Sequence, residues 1–258
     1  MNHTSLPLPR RATGFTLMEI LVVVAIIMVL AVITLPVLSV IRTRANKNTA
    51  LNVMRNLGAA CGNFASQNDN LLPPEDSSGT DTWAAAADPA NSKVWYNSLP
   101  RQMGAKGVGD FAISPEAYYT KENLLFMPGA TYPESTSKLV RPLFAIAINT
   151  KLHRKDPTTG VKSDLRMSNI TSPQKTVLFL EQGLKSEPKT LPVQSSYDGS
   201  CKGSAKSFVG RYSGQGILSF VDGHSESVDV KDTLTQTGLF PFPPTDVIWC
   251  RTPEENPN

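Results

Sequence analysis

From Ile20 to Ile41 the chain runs for 22 residues without a charge, built almost entirely from Val, Ile, Leu, Ala and Met. At about 1.5 Å per residue a helix of that length reaches roughly 33 Å, enough to cross a hydrocarbon core of about 30 Å. The stretch is apolar on every side, so it predicts a membrane-spanning helix. Beyond it the pattern becomes one-sided. Ala50, Leu51, Met54, Leu57, Gly58, Cys61, Phe64 and Ala65 recur at three- and four-residue steps, with Asn52, Arg55, Asn56 and Asn63 mostly on other faces. One helix therefore continues out of the lipid, its lower half facing lipid or other helices and its upper half packing on a globular head. Asn68-Asp69-Asn70 followed by Leu71-Leu72-Pro73-Pro74 ends it, because prolines cannot continue the ladder and Asn and Asp suit turns. Residues 15–67 then form a rod of roughly 80 Å.

The polar stretch from Pro73 to about Gly109 reads as a long surface excursion, with one short helix near Val94 to Leu99. Trp95 and Tyr96 within it read as anchors to a core. Four short runs rich in branched or aromatic residues follow: Leu143 to Asn149, Thr176 to Glu181, Ile217 to Val221 and Ser225 to Val230. Asp222-Gly223 between the last two signals a two-residue hairpin turn, whose central positions both need positive φ. The fold class is α+β, a long N-terminal helix packed against an antiparallel sheet. About 190 residues after the helix suffice for one head.

Charge and composition change little. The formal charge is +3, or +1 without Arg10 and Arg11, which leaves no nucleic-acid footprint. Cys61, Cys201 and Cys250 are an odd set. Cys61 lies on the apolar helical face and reads as a buried thiol. No spacing resembles a zinc or redox motif.

The chemistry concentrates just before the apolar run, at Arg10-Arg11-Ala12-Thr13-Gly14-Phe15-Thr16-Leu17-Met18-Glu19. A secretory signal places its small residue after the apolar core, so that the cut removes the helix. Here Gly14 precedes it, and cleavage there keeps the helix and exposes Phe15 as a new terminus. Glu19 sits at the top of the span, where a carboxylate costs roughly 2.5 to 3.5 kcal/mol and calls for a partner. Pro36 removes the hydrogen bond to the Val32 carbonyl and is expected to kink or loosen the helix, a break that membrane helices tolerate when neighbours satisfy the freed groups.

These residues resemble the type IV prepilin signal of type IV pilins and of type II secretion pseudopilins. The resemblance implies a leader of residues 1–14, a helix over 15–67 with its membrane part at 20–41, and a head over 68–258. It implies cleavage after Gly14 by a membrane prepilin peptidase, which also methylates the Phe15 amine. That amine would then be the cation that Glu19 meets, in the same chain or on a neighbouring subunit. Pro36 lies where many pilins have a proline. Partners by resemblance are the peptidase and N-methyltransferase, other pilin or pseudopilin subunits, an inner-membrane assembly platform and lipid. Arg42, Arg44 and Lys47 outnumber Arg10 and Arg11 across the span, which taken alone puts the carboxyl-terminal side inside. The resemblance requires the reverse: leader in the cytoplasm, a single pass of the cytoplasmic membrane, head on the periplasmic or extracellular side. Some pilins close their carboxyl-terminal region with a disulfide, and Cys201 with Cys250 would be that pair.

Phe208 to Val230 resembles the carboxyl-terminal region of pilin-like proteins named for a His, nine residues, then Asp-Gly, as do Ser168 to Glu181 and Asn68 to Pro74 for the segments around it. The count of nine before Asp222 reaches Tyr212 instead of His. If the histidine packs or hydrogen-bonds, Tyr212 can substitute; if it has a chemical role, this chain lacks it. Some pseudopilins bind calcium through carboxyl-terminal oxygens, for which Asp198, Asp222, Asp229 and Asp232 are the candidates here, without EF-hand-like spacing. No other cofactor is expected.

Enzyme readings are weaker. Asp222, His224 and Glu226 alternate as metal ligands do, but turn chemistry already accounts for Asp222-Gly223. His153 and Asp156 with any of many serines sketch a hydrolase triad, yet no Gly-x-Ser-x-Gly surrounds a serine. The expectation is a structural, non-enzymatic subunit of a pilus-like or pseudopilus filament; a membrane-anchored surface binding module that does not polymerise is the alternative.

Overall fold

The computed structural model describes residues 15–75, 81–134, 136–153 and 165–258, with Pro36 and Ser137 described by backbone alone. Helix α1 spans Leu17–Gln67. The chain divides into two compact units, Met1–Thr43 and Arg44–Asn258.

In the first unit every large hydrophobic residue from Phe15 to Ile41 is exposed. Mean hydropathy over the best 18-residue window of this helix is 3.2, and none of that window is buried. It is the one helix among the described residues long and apolar enough to cross a membrane. Its Thr34 hydroxyl donates to the Leu30 carbonyl at 2.9 Å, so this polar group is satisfied within the helix, as hydrocarbon demands. Pro36 lies inside the helix, which is assigned without interruption from Leu17 to Gln67.

In the second unit the one-sided pattern is spent. Ala50, Met54, Leu57, Ala60, Cys61 and Phe64 are buried in one cluster with Ile146, Ile148, Phe179 and Ile217 of the sheet. Gly58 marks the closest approach: a Cβ there would stand 2.9 Å from Ser219 Oγ and 3.1 Å from the Gly223 carbonyl. The helix ends as its Asn-Asp-Asn run demands. Asp69 and Asn70 take φ of 53° and 65°, the Asn70 N–H returns to the Ala65 carbonyl at 2.9 Å, and Asn68 Nδ2 donates to Phe64 O at 2.8 Å.

The sheet has five strands: β1 (Ile146–Asn149), β2 (Val177–Glu181), β3 (Lys202–Gly203), β4 (Gln215–Phe220) and β5 (Ser225–Asp229). Their order is β3-β1-β2-β4-β5. Pairs β1–β2, β2–β4 and β4–β5 are antiparallel, while the short β3, absent from the sequence expectation, runs parallel to β1. The other sheet face is covered too: Ala147, Leu180, Leu218 and Phe220 form a second cluster with Phe208, Val230, Phe240 and Trp249. Covering on both sides explains why β1, β2 and β4 read as continuous apolar runs instead of alternating.

The segment expected as a surface excursion is part of the core. It folds into α2 (Trp83–Ala87) and α3 (Trp95–Gln102), followed by α4 (Pro115–Tyr118) and α5 (Ser137–Val140). Trp95 is fully buried among Tyr96, Phe144 and Phe179, and its Nε1 donates to the Cys201 carbonyl at 3.1 Å. The helix expected near Val94 to Leu99 is there as α3 and Trp95 and Tyr96 anchor it as expected, while polar composition hid the remaining burial, which a few large rings separated by Ala, Asn and Gly supply.

The hairpin between β4 and β5 also differs from expectation. The Phe220 N–H bonds to the His224 carbonyl at 2.9 Å, leaving Val221, Asp222 and Gly223 as a three-residue loop. Only Gly223 has positive φ, at 92°. This is the turn-plus-glycine solution, which spares Asp222 a left-handed backbone.

Candidate functional site

Two places hold the functional side chains. At the membrane end, Gly14 lies outside the described residues and Phe15 is 81 % exposed. Glu19 finds a partner within its own turn, in Thr16. Its Oε2 accepts from the Thr16 N–H at 2.8 Å and from the Thr16 hydroxyl at 2.9 Å, while Thr16 Oγ1 accepts from the Glu19 N–H at 3.2 Å. Thr16-Leu17-Met18-Glu19 is thus a reciprocal capping box, which satisfies two of the helix's orphan donors and orients the carboxylate toward the Phe15 side of the turn. The Thr-x-x-Glu spacing before an apolar run was a readable signal for it. The carboxylate also lies at the positive end of the helix dipole.

In the head, Tyr212 is buried, and its hydroxyl donates to Glu181 Oε1 at 3.1 Å. Glu181, the last residue of β2, is fully buried and also accepts from the Ile217 N–H at 2.8 Å. Arg211 completes the set. It reaches Glu181 at 3.3 Å and holds Glu187 through two bonds, Nε at 2.8 Å and Nη2 at 2.6 Å. Its Nη2 also donates to the Gln182 carbonyl at 2.6 Å. Burial raises the Glu181 carboxyl above its usual value, with the Arg211 charge working against that, and burial likewise raises the Tyr212 phenol. Every polar atom named here is engaged, so the cluster ties β2 and β4 to the loops at 187 and 211. Tyr212 therefore packs and hydrogen-bonds. Nothing in the sequence marked Arg211 or Glu187; a glutamate closing the apolar run Val177 to Leu180 was the single hint.

The remaining candidates separate. Asp222 bends back on its own turn, accepting from the His224 N–H at 3.1 Å and lying 2.6 Å from His224 Nδ1, while His224 stacks on Phe220. Glu226 is not part of that contact, and among the described residues no group of three or more His, Cys, Asp or Glu is arranged to hold a metal. His153 is buried, which lowers its imidazole to about 4, and Asp156 lies outside the described residues. Cys61, Cys201 and Cys250 are all buried thiols. Cys61 lies in the helix-side cluster as expected, and burial raises its thiol. The Cys201–Cys250 bridge is not made: Cys201 packs in the helix-side cluster with Trp95, whereas Cys250 lines a small cleft with Thr150, Lys151 and the carboxyl-terminal tail.

Residues 9–35 match the prokaryotic N-terminal methylation motif. The match spans Arg10 and Arg11, the Gly14-Phe15 junction, the capping box and the apolar run to Leu35. No curated protein and no solved structure matches the chain. The chain thus carries a prepilin-type N-terminal motif, and Leu17–Gln67 is the one helix among the described residues long and apolar enough to cross a membrane.

Proposed function

We propose that the chain is a structural subunit of a type IV pilus-like or type II secretion pseudopilus filament, cut after Gly14 and N-methylated at Phe15. The observation that carries the reading is the methylation motif lying on a helix whose lower half leaves every large hydrophobic residue uncovered. Such a surface needs lipid before assembly and neighbouring helices after it. The work is helix packing, and no turnover is involved.

Cleavage removes the chain preceding Phe15 and leaves a cationic amine one residue from Thr16 and four from Glu19. The Glu19 carboxylate, held at the top of the helix by Thr16, is then positioned to take that amine or a neighbour's as a second partner. In a medium of low dielectric the charge pair is worth far more than in water, so it can set axial register between subunits. The head would stand on the periplasmic or extracellular side, carried through by its own size despite Arg42, Arg44 and Lys47.

The test is to co-express the chain with a prepilin peptidase and identify its amino terminus by mass spectrometry. The expected product begins at N-methyl-Phe15, and a chain that keeps Met1 beside an active peptidase overturns the proposal. Glu19→Ala should leave membrane insertion intact and abolish filaments. Filaments formed normally by that variant would overturn the role given to Glu19, whereas a parent chain that anchors in the membrane without entering filaments would favour a tethered binding module.

A further inference from the structure

Helix α1 carries a second periodic pattern, which the head does not use. Ala45, Asn48, Asn52, Asn56, Ala59 and Asn63 recur at steps of three and four, so at about 100° per residue they share an arc of about 80° along about 27 Å of helix. All six are exposed, on the side away from Met54, Leu57 and Cys61, which pack on the sheet. Counted back along the same helix, the spacing continues through Ile41 and Leu38 into the apolar run.

Asparagine is among the poorer helix formers, because its short amide competes for backbone groups in other conformations. A face meant only for water is better filled with Glu and Lys, which form helix more readily and pair at four-residue spacing. Neither advantage is taken here. No carboxylate occurs between Glu19 and Asp69, so α1 makes no ion pair within itself beyond the apolar run. Nor do the amides serve the head. Among the described residues the side chains of Asn48, Asn52, Asn56 and Asn63 form no hydrogen bond, whereas those of Lys47, Thr49, Ser66 and Asn68 nearby each form one. The fold thus carries four weak helix formers on one face without using what they offer.

We infer that this seam is where α1 packs on α1 of a second copy of the chain beyond the apolar run, with asparagine amides hydrogen-bonding between the two helices and fixing their register. The chemistry selects a like partner. An amide carries donor and acceptor together and so complements its own copy, while a face of one charge sign repels it. Ala45 and Ala59 let the two backbones approach closely. Asparagine pairs between helices give up stability for register, since a slip leaves amides facing alkyl groups. The interface presupposes the filament proposed above, and adds to Glu19 a second set of register contacts.

The test uses cells that carry a prepilin peptidase and filament-assembly machinery. Asn48→Ala, Asn52→Ala and Asn56→Ala together should lower the yield of sheared, sedimented filaments at least about tenfold. The same triple variant, purified in detergent, should keep or raise its midpoint of chemical denaturation, because Ala favours helix. Asn52→Cys alone should let a short bis-maleimide join copies within filaments and not in the detergent-dispersed chain, the native thiols being buried. Normal filament yield from the triple variant overturns the interface and leaves the filament standing, as do Asn52→Cys filaments that resist cross-linking. A lowered midpoint also overturns it, by assigning the amides to the head. A parent that forms no filaments removes the filament and this interface together.

Discussion

Ile27 and Met54 belong to the same helix and are both large and apolar, yet Ile27 is 58 % exposed and Met54 fully buried. Around Ile27 the apolar residues surround the helix, and the chain's own fold covers none of them. Around Met54 they occupy one stripe, and a sheet face has closed over it. The difference shows that apolarity specifies removal from water, while its distribution around the axis specifies what does the removing. A full cylinder calls for lipid or identical neighbours; a stripe calls for the remainder of the same domain.

The largest effect should come from the polar cluster that braces the sheet behind that stripe. Arg211→Met leaves Glu181 and Glu187 buried without their cation, at an expected cost of about 3 to 5 kcal/mol, read as a fall in the midpoint of chemical denaturation in detergent. The direct comparison follows. Met54→Ala should cost about 2 to 5 kcal/mol by opening a cavity, whereas Ile27→Ala should change head stability by less than about 0.5 kcal/mol. Equal costs at the two positions would break the contrast.

Smaller is a pH effect confined to the head. Burial lowers His153 to about 4 from 6.5, so the folded state favours the neutral ring. Its contribution is fully present above about pH 6.5 and is lost as pH falls toward 4, amounting to about 2 kcal/mol between pH 7 and 5. Glu181 works in the opposite sense, since its carboxyl is raised and its burden grows as pH rises. Comparing melting temperatures of the parent and His153→Gln across that window isolates the histidine, and the variant should show the flatter profile. The smallest effect belongs to the membrane end. Thr16→Val removes the side-chain half of the capping box, worth about 1 kcal/mol, and should speed amide exchange near Ile20 without altering the denaturation midpoint of the head.

The legible parts of this protein were those whose cause lies within a few residues. The helix was expected to end near Gln67 and does, because Asn68, Asp69 and Asn70 accept turn conformations that other residues resist. Four of the five strands fall within a few residues of their apolar runs. The misses share a different cause. Strand β3 is two residues long and exists because β1 lies beside it. Helix α2 exists because Trp83 finds the Lys138 carbonyl and the Tyr118 ring elsewhere in the chain, whereas α3 lies where the short helix near Val94 to Leu99 was expected. The capping box has a local cause as well, the three-residue spacing of Thr16 and Glu19.

What the sequence determined by itself is the long apolar helix, the N-terminal methylation motif that precedes and enters it, the helix stop and the glycine in the hairpin. Each follows from side-chain transfer energies or backbone preferences that act locally. Only the tertiary structure decided that Tyr212 would serve as a buried hydrogen-bond donor and that Arg211 would hold two glutamates. Those outcomes depend on residues 24 to 31 positions apart in the chain being brought within hydrogen-bonding distance. Strand pairing achieves this, and no local preference encodes it.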